Sequence, residues 1–212
     1  QHGRSHGEVF LMSRDLPKFR RYEGPERVPK SSTTRVVTFP SLDEKARWLD
    51  GAAGLDALRG QVQAMARRFL GMPDPEARTR AMQRWVRDRV RYQYDYRVSM
   101  NMPGEEFADA STTLERGFGD CDDKARAFVA LVRAAEMLRP LGVRARIRPI
   151  FAKRPEDAFV HVQTEVKWPR SELHENAMPE GWLLSELIVK GCEIGQDPDT
   201  IPRNRDGERP IV

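Results

Sequence analysis

Hydrophobic residues recur at helical spacing in two stretches of the first half of the chain. Between residues 41 and 70 they share one face of a predicted helix: Leu58, Val62, Met65, Ala66 and Phe69. A second helix is predicted from about Asp74-Pro75, with its buried face formed by Ala77, Met82, Trp85, Val86 and Val90. Both patterns have the period of an amphipathic helix that packs on a core.

A third helix is predicted after the turn sequence Gly117-Phe118-Gly119-Asp120. Its apolar stripe is continuous: Ala125, Phe128, Val129, Val132 and Ala135. Asp120 is a suitable N-cap, and Asp123 supplies an acid three residues later, as in a capping box. Cys121 therefore falls in the first helical turn.

The pattern changes to alternation in the second half of the chain. Residues 142–148, 160–166 and 182–189 each read as a strand, and the polar residues 169–181 separate the second strand from the third. The order is thus a helix with Cys121, a strand, a strand with His161 and a strand with Glu186. This order predicts an α+β fold in which the helix packs on an antiparallel sheet.

The first 41 residues show little periodicity apart from a short β-branched run from Val36 to Phe39. We interpret residues 1–41 as an extended arm, residues 42–200 as one domain and residues 201–212 as a tail. Because the arm has sparse apolar content, we expect that it can be removed without unfolding the domain.

Composition narrows the class of protein. The chain has 212 residues, of which 39% are hydrophobic and 32% charged, which excludes a disordered protein and suits one domain with a core. No apolar run approaches the ~20 residues of a membrane span, so a soluble chain is expected. Its two cysteines lack CxxC spacing, so neither a disulfide framework nor a zinc site is predicted. At least one cysteine is therefore available for chemistry.

Cys121 has the position of a nucleophile. The unpaired N–H groups and the dipole of a helix N-terminus stabilise a thiolate, whereas the neighbouring Asp120, Asp122 and Asp123 oppose a further negative charge. A cation is needed to offset these acids. Lys124 is one candidate, and a protonated His161 is a better one because it is both counter-ion and base. Cys192 is expected to be structural.

These residues resemble a known family. The motif Leu114-x-x-Gly117-x-Gly119-Asp120-Cys121-x-Asp123 is similar to that of the bacterial and phage transglutaminase-like cysteine proteins. Further resemblance lies in these later and earlier positions: Gly142-Val143-x-Ala145-Arg146, His161, Glu165-Val166, Trp182 and Trp85-Val86-x-x-x-Val90-x-Tyr92. The resemblance covers roughly residues 80 to 190. It implies a papain-like or transglutaminase-like core whose Cys-His-acid site hydrolyses amide bonds or transfers an acyl group from glutamine to an amine.

Two acidic residues are candidates for the third catalytic residue. Glu186 follows Trp182 at the family's spacing, although most such sequences have Asp there, and Asp197 is the rival eleven residues later. Placement favours Glu186, because it lies within the predicted third strand and Asp197 lies past it. The second oxyanion donor is also open, with Gln93 and Tyr94 suggested by position.

The expected activity is a cysteine-dependent reaction of protein or peptide substrates with no cofactor and no metal. The alternative is a catalytically silent transglutaminase-like module with a structural or accessory role, tethered through its N-terminal arm in an assembly such as a phage particle. A bacterial cytoplasmic or phage-associated location follows only from the resemblance. Nucleic-acid binding is not favoured, since basic residues are not interleaved with aromatic ones.

Overall fold

The computed structural model describes residues 2–5, 8–11, 42–93, 108–150 and 161–202, and gives only the backbone of residues 2–5, 8–11, 42–46, 149, 150, 161 and 199. The chain divides into two compact units, one of residues 1–40 with 95–106 and one of residues 41–94 with 107–212. In the first unit, β1 (His2–Ser5) pairs antiparallel with β2 (Glu8–Leu11). The run from Val36 to Phe39 lies outside the described residues, and the domain bounds drawn from the sequence stay a prediction.

The second unit begins with helices. They are α1 (Leu42–Ala57), α2 (Gly60–Ala66) with a 3-10 turn (Arg67–Phe69), α3 (Pro75–Arg89), α4 (Ala110–Arg116) and α5 (Cys121–Leu138). The continuous helical pattern predicted before residue 70 is in fact divided. The N–H groups of Leu58 and Arg59 bond three residues back, to Leu55 and Asp56, so the chain turns before α2 begins. Leu58 is consequently exposed rather than part of the buried face.

Two helix starts are fixed by aspartate caps. The Asp74 carboxylate accepts a hydrogen bond from the Ala77 N–H at 2.6 Å, which starts α3 where the sequence predicts it. The Asp109 carboxylate accepts from the Thr112 N–H at 2.9 Å and starts α4, a helix that the sequence analysis does not predict. Serine and threonine have low helix propensity, and α4 carries three of them in its first turn, so only its cap indicated it.

Two short strands, β3 (Arg91–Tyr92) and β4 (Phe118–Gly119), lie between these helices. A three-stranded antiparallel sheet follows, in the order β5 (Arg144–Ile150), β6 (His161–Lys167), β7 (Leu183–Ser185). Short 3-10 helices lie at Ser171–Leu173, Pro179–Gly181 and Pro198–Thr200. The third strand ends at Ser185, not at residue 189 as predicted. The Glu186 side chain accepts the N–H groups of Leu187 and Ile188 at 2.8 Å each, and this withdraws them from the ladder.

The core is organised around α5. This helix packs on α1, α2, α3, α4, β5 and β6, and its apolar stripe is buried throughout. On β5 the buried residues Ala145 and Ile147 alternate with exposed arginines, as the sequence predicts. Burial of a side chain the size of Phe128 contributes about 1.5–3 kcal/mol, so the helix that carries Cys121 is firmly anchored. The fold is the α+β arrangement expected, with a cysteine at the N-terminus of the central helix.

Candidate active site

The turn before α5 is held by two short parallel strands. In β3 (Arg91–Tyr92) and β4 (Phe118–Gly119), the backbones pair directly. The Arg91 N–H donates to the Gly117 carbonyl and the Gln93 N–H donates to the Gly119 carbonyl, both at 2.9 Å. Gln93 is thereby fixed beside the residues that lead into Cys121.

Gly119 allows this turn to lie against the helix. A Cβ atom at residue 119 would stand 2.7 Å from the Asp123 Cβ and 2.9 Å from its Oδ2. Distances this short are repulsive, so any larger residue has to displace the first turn of α5. The glycine of the Gly-Asp-Cys sequence therefore serves close packing.

Asp120 caps α5 and makes Cys121 its first residue. The Asp120 Oδ1 accepts from the N–H groups of Asp122 at 3.1 Å and Asp123 at 3.2 Å. The Asp123 carboxylate in turn accepts from the Asp120 N–H. This reciprocal arrangement is the capping box predicted from the sequence.

The Cys121 thiol is largely enclosed. The residue is 7% exposed, and its Sγ lies 3.7 Å from the Asp122 Oδ1. A sulfur at this position faces the positive end of the helix dipole and a neighbouring carboxylate at the same time. A thiolate here requires a cationic partner, as the sequence indicated.

Arg116, at the end of α4, offsets one of the acids. Its guanidinium lies 2.5 Å from the Asp123 carboxylate. Burial, followed by the charge of Asp120, nevertheless raises the pKa of Asp123 to about 7, against the opposing effect of Arg116. The sequence analysis did not predict a role for Arg116. The only indication was its position as a cation directly before the Gly-Phe-Gly sequence.

Lys124, one of the two candidate counter-ions, makes its hydrogen bonds to the end of α3. Its ammonium is buried and donates to the carbonyls of Arg87, at 3.3 Å, and Val90 at the end of α3. Burial lowers the pKa of Lys124 to about 8, while the negative charge of Glu186 acts in the opposite direction. Lys124 thus ties α5 to the C-terminus of α3, where a cation is favoured by the helix dipole.

His161 is the first residue of β6, and its backbone lies opposite Ile150. Its side chain lies outside what the structure describes. The strand packs on α5, the helix that begins at Cys121. On the side away from β5, the strand next to β6 is β7, because Thr164 pairs with Ser185 and Val166 with Leu183.

Glu186 comes directly after β7 and is buried beside β6. Its Oε2 accepts from the Gln163 Nε2 at 2.8 Å, and its Oε1 accepts the two backbone N–H groups that end the strand. Gln163 is two residues from His161, so the carboxylate lies next to the strand that carries the predicted base. The alternation along this strand places Gln163 on the same face as His161, and this was its only indication in the sequence.

Asp197 is exposed and lies just before the last 3-10 helix, where its carbonyl accepts from the Thr200 N–H and hydroxyl.

Cys192 is fully buried, and burial raises the pKa of its thiol to about 12. A thiol with such a pKa is unreactive near neutral pH, as expected of a structural cysteine.

Among the described residues no group of three or more His, Cys, Asp and Glu side chains is placed to hold a metal ion. In the same part of the chain no helix is both long and apolar enough to cross a membrane.

Comparison with known proteins gives one result. The family model described as transglutaminase-like superfamily matches residues 63–184, more than half of the chain. The match begins in α2, ends within β7 and includes Cys121 and His161. No curated protein and no solved structure matches the chain.

Proposed function

Since the chain belongs to the transglutaminase-like superfamily, we propose that it is a cysteine-dependent enzyme that acts on amide bonds. In this proposal Cys121 is the nucleophile and His161 the general base. Glu186 is the carboxylate that orients the imidazole, one methylene longer than the family's usual aspartate.

One observation carries the proposal: the carboxylate of Glu186 is bound to Gln163, on the strand that begins with His161 and packs on the Cys121 helix. A carboxylate that is hydrogen-bonded to a histidine ring stabilises the imidazolium and selects its tautomer, and this is the role that we propose for Glu186. Asp197 lies on a separate, exposed segment, which favours Glu186 as the third residue.

The reaction begins when the Cys121 thiolate attacks the substrate carbonyl carbon and the carbonyl π electrons move to oxygen. The resulting oxyanion accepts a hydrogen bond from the Cys121 N–H at the helix start. The Gln93 side chain is the proposed second donor, since its backbone is fixed beside Gly119. Collapse of the tetrahedral intermediate breaks the C–N bond, and His161 gives its proton to the leaving amine.

The thioester is then resolved by a second nucleophile. Water yields a carboxylic acid, and a primary amine yields a new amide; in either case His161 removes a proton and the thiolate is restored. We propose a protein or peptide substrate for both outcomes.

The proposal is tested with a glutamine-bearing protein such as casein and a fluorescent primary amine. Incorporation of the amine indicates acyl transfer, whereas new amino termini indicate hydrolysis. Either activity should be lost in Cys121→Ala and retained in Cys192→Ala. Activity that survives Cys121→Ala, or absence of a thioester adduct with any acyl donor, contradicts the proposal.

The burial of Cys121 favours a second candidate, a catalytically silent module of the same family in a phage or bacterial assembly. In that case residues 1–41 are the proposed tether to the assembly. A Cys121 thiol that resists small alkylating reagents in the folded chain would support this function over catalysis.

A further inference from the structure

A cleft rich in arginine lies between α1 and the exposed face of β5. It encloses about 710 Å³, and Arg47, Arg146, Arg148, Glu165 and Trp182 are among its lining residues. We call it the arginine cleft. Cys121, Glu186 and Gln93, whose side chains the structure describes, are not among its lining residues.

Glu165 is the centre of the arginine cleft. Its carboxylate is buried and binds two guanidiniums, Arg146 at 2.5 Å and Arg148 at 2.7 Å. The two arginine side chains are 48% and 52% exposed. One carboxylate neutralises one guanidinium, so this cluster keeps a formal positive charge and N–H donors on its open side.

The neighbouring groups hold the arginines in place. Arg146 lies over the Trp182 ring, 4.0 Å from its centroid, which fixes the plane of its guanidinium. Asp50, an acid of the same cleft, is already paired with Arg133 at 2.7 Å and accepts from the Ile147 N–H. It therefore does little to cancel the positive charge of Arg146 and Arg148.

Strand register relates the arginine cleft to the proposed active site. On β5 and β6, Arg148 lies opposite Gln163, and Arg146 lies opposite Glu165. His161 begins β6, two residues before the first of these pairs and four before the second. At about 3.3 Å per residue, the pairs lie about 7 and 13 Å along the strand from the His161 backbone. An extended substrate chain covers the same distances in two to four residues.

We propose that the arginine cleft binds an acidic side chain of the substrate, two to four residues from the reacting carbonyl. This inference rests on the proposed function and names the substrate class of the same site. A planar guanidinium with two free N–H groups matches a carboxylate in a bidentate contact.

A single carboxylate fits the cleft better than a polyanion. Asp50, Glu165 and Glu180 also line it, and they repel a continuous phosphate backbone. The Trp182 face is occupied by Arg146, so it offers no open stacking platform for a nucleobase. These features favour an acidic peptide over nucleic acid.

The test measures binding to the full chain carrying Cys121→Ala, so that no turnover occurs. The probes are two fluorescein-labelled decapeptides with a central Gln, one with Glu and the other with Gln at the second, third and fourth flanking positions. Fluorescence anisotropy at low salt near neutral pH should give a Kd for the Glu peptide about fivefold below that for the Gln peptide. Arg148→Gln should remove most of this difference.

Arg84→Gln is the matched control, because it makes the same charge change at an exposed ion pair on α3, outside the cleft. It should leave the preference intact. Arg148→Glu should reverse the preference toward a decapeptide with Lys at the three positions, which excludes a mere loss of folding. Equal Kd values for the Glu and Gln peptides, or equal effects of Arg84→Gln and Arg148→Gln, overturn the proposal. Tighter binding of a single-stranded DNA decamer that depends on Arg148 overturns it in favour of nucleic acid.

The two proposals fail separately. If the Glu and Gln peptides bind equally well while turnover still depends on Cys121, only the proposal of an acidic substrate is wrong. If the wild-type chain forms no thioester but still binds the Glu peptide more tightly than the Gln peptide, the proposed enzymatic function is wrong and the arginine cleft remains a binding site for acidic peptides.

Discussion

The Gln163 side chain donates from Nε2 to the Glu186 Oε2 at 2.8 Å, and this bond joins the strand that begins with His161 to the residue after the neighbouring strand. Both side chains are buried. A buried carboxylate is costly unless its oxygens are hydrogen-bonded, and Glu186 accepts three hydrogen bonds from Gln163 and two backbone groups. The acid is thus held at a fixed place beside β6.

The first prediction concerns the reactivity of the two cysteines. Iodoacetamide at mildly acidic pH should label wild type and Cys192→Ser, but not Cys121→Ser, as read by mass spectrometry of the intact protein. The proposed thiolate–imidazolium pair persists under these conditions, whereas burial keeps Cys192 protonated. Labelling of both cysteines to the same extent, with one pH dependence, would contradict it.

The second prediction separates the two acids considered for the third catalytic residue. Glu186→Gln should lower kcat by between about 10-fold and 10⁴-fold with little change in KM, whereas Asp197→Asn should leave both nearly unchanged. The amide retains size but loses the charge that stabilises an imidazolium. If kcat falls in Asp197→Asn and stays near the wild-type value in Glu186→Gln, Asp197 is the third catalytic residue.

The Glu186→Gln substitution should spare the fold. Within the described residues the buried Gln163 Oε1 has no hydrogen-bond partner, so rotation of the Gln163 amide can present an acceptor to the new amide group. Chemical denaturation should therefore show a midpoint close to that of wild type, and a large drop in stability would mean that the kinetic effect is not specific.

The third prediction tests Gln163 as a positioning residue. Gln163→Leu leaves one oxygen of the buried Glu186 carboxylate without this donor, so stability should fall by about 1–3 kcal/mol and kcat should fall more than KM changes. Thr164→Val is the control, because it removes a neutral 2.8 Å bond to the Ser185 carbonyl between the same strands. Equal kinetic effects of the two variants would reduce Gln163 to a structural role.

The fourth prediction concerns Gly119. Gly119→Ala should destabilise the protein by about 1–3 kcal/mol, because its methyl group meets Asp123 at 2.7 Å. Gly51→Ala, within α1, meets nothing within 4 Å and should raise stability by about 0.5–1 kcal/mol. Thermal unfolding of the two variants checks the contrast, which disappears if the turn before Cys121 can shift freely.

The fifth prediction is a pH dependence of stability from Asp123. Burial raises its pKa from 3.8 to about 7, so the folded state holds a proton that the unfolded state has released between these values. This contribution is fully present below pH 3.8 and is lost as the pH rises through 7. Urea unfolding across that range should show a smaller decline for Asp123→Asn, with the exposed Asp88→Asn unchanged from wild type. If stability declines with pH in Asp123→Asn as steeply as in wild type, groups other than Asp123 cause the decline.

Local sequence determined the nucleophile end of the site. The cap of α5 depends on Asp120 and Asp123, which are neighbours in the chain, and the alternation on β5 separates its arginines from its core residues. The order of the helix with Cys121, the strand with His161 and the later segment with Glu186 could also be predicted from the sequence, although Glu186 lies just after the third strand and not within it. These features depend on helical and strand periods and on capping chemistry, which act over a few residues.

Tertiary structure alone decided which distant side chains meet. Nothing local pairs Gln163 with Glu186, or Arg116 with Asp123, because those contacts depend on strand register and on the angle between α4 and α5. The same holds for the ammonium of Lys124, which the packing of α5 brings to two backbone carbonyls at the end of α3. Hydrogen bonds and ion pairs between such residues exist only after the chain has buried its apolar faces, so the sequence specifies them through the whole fold and not at any one position.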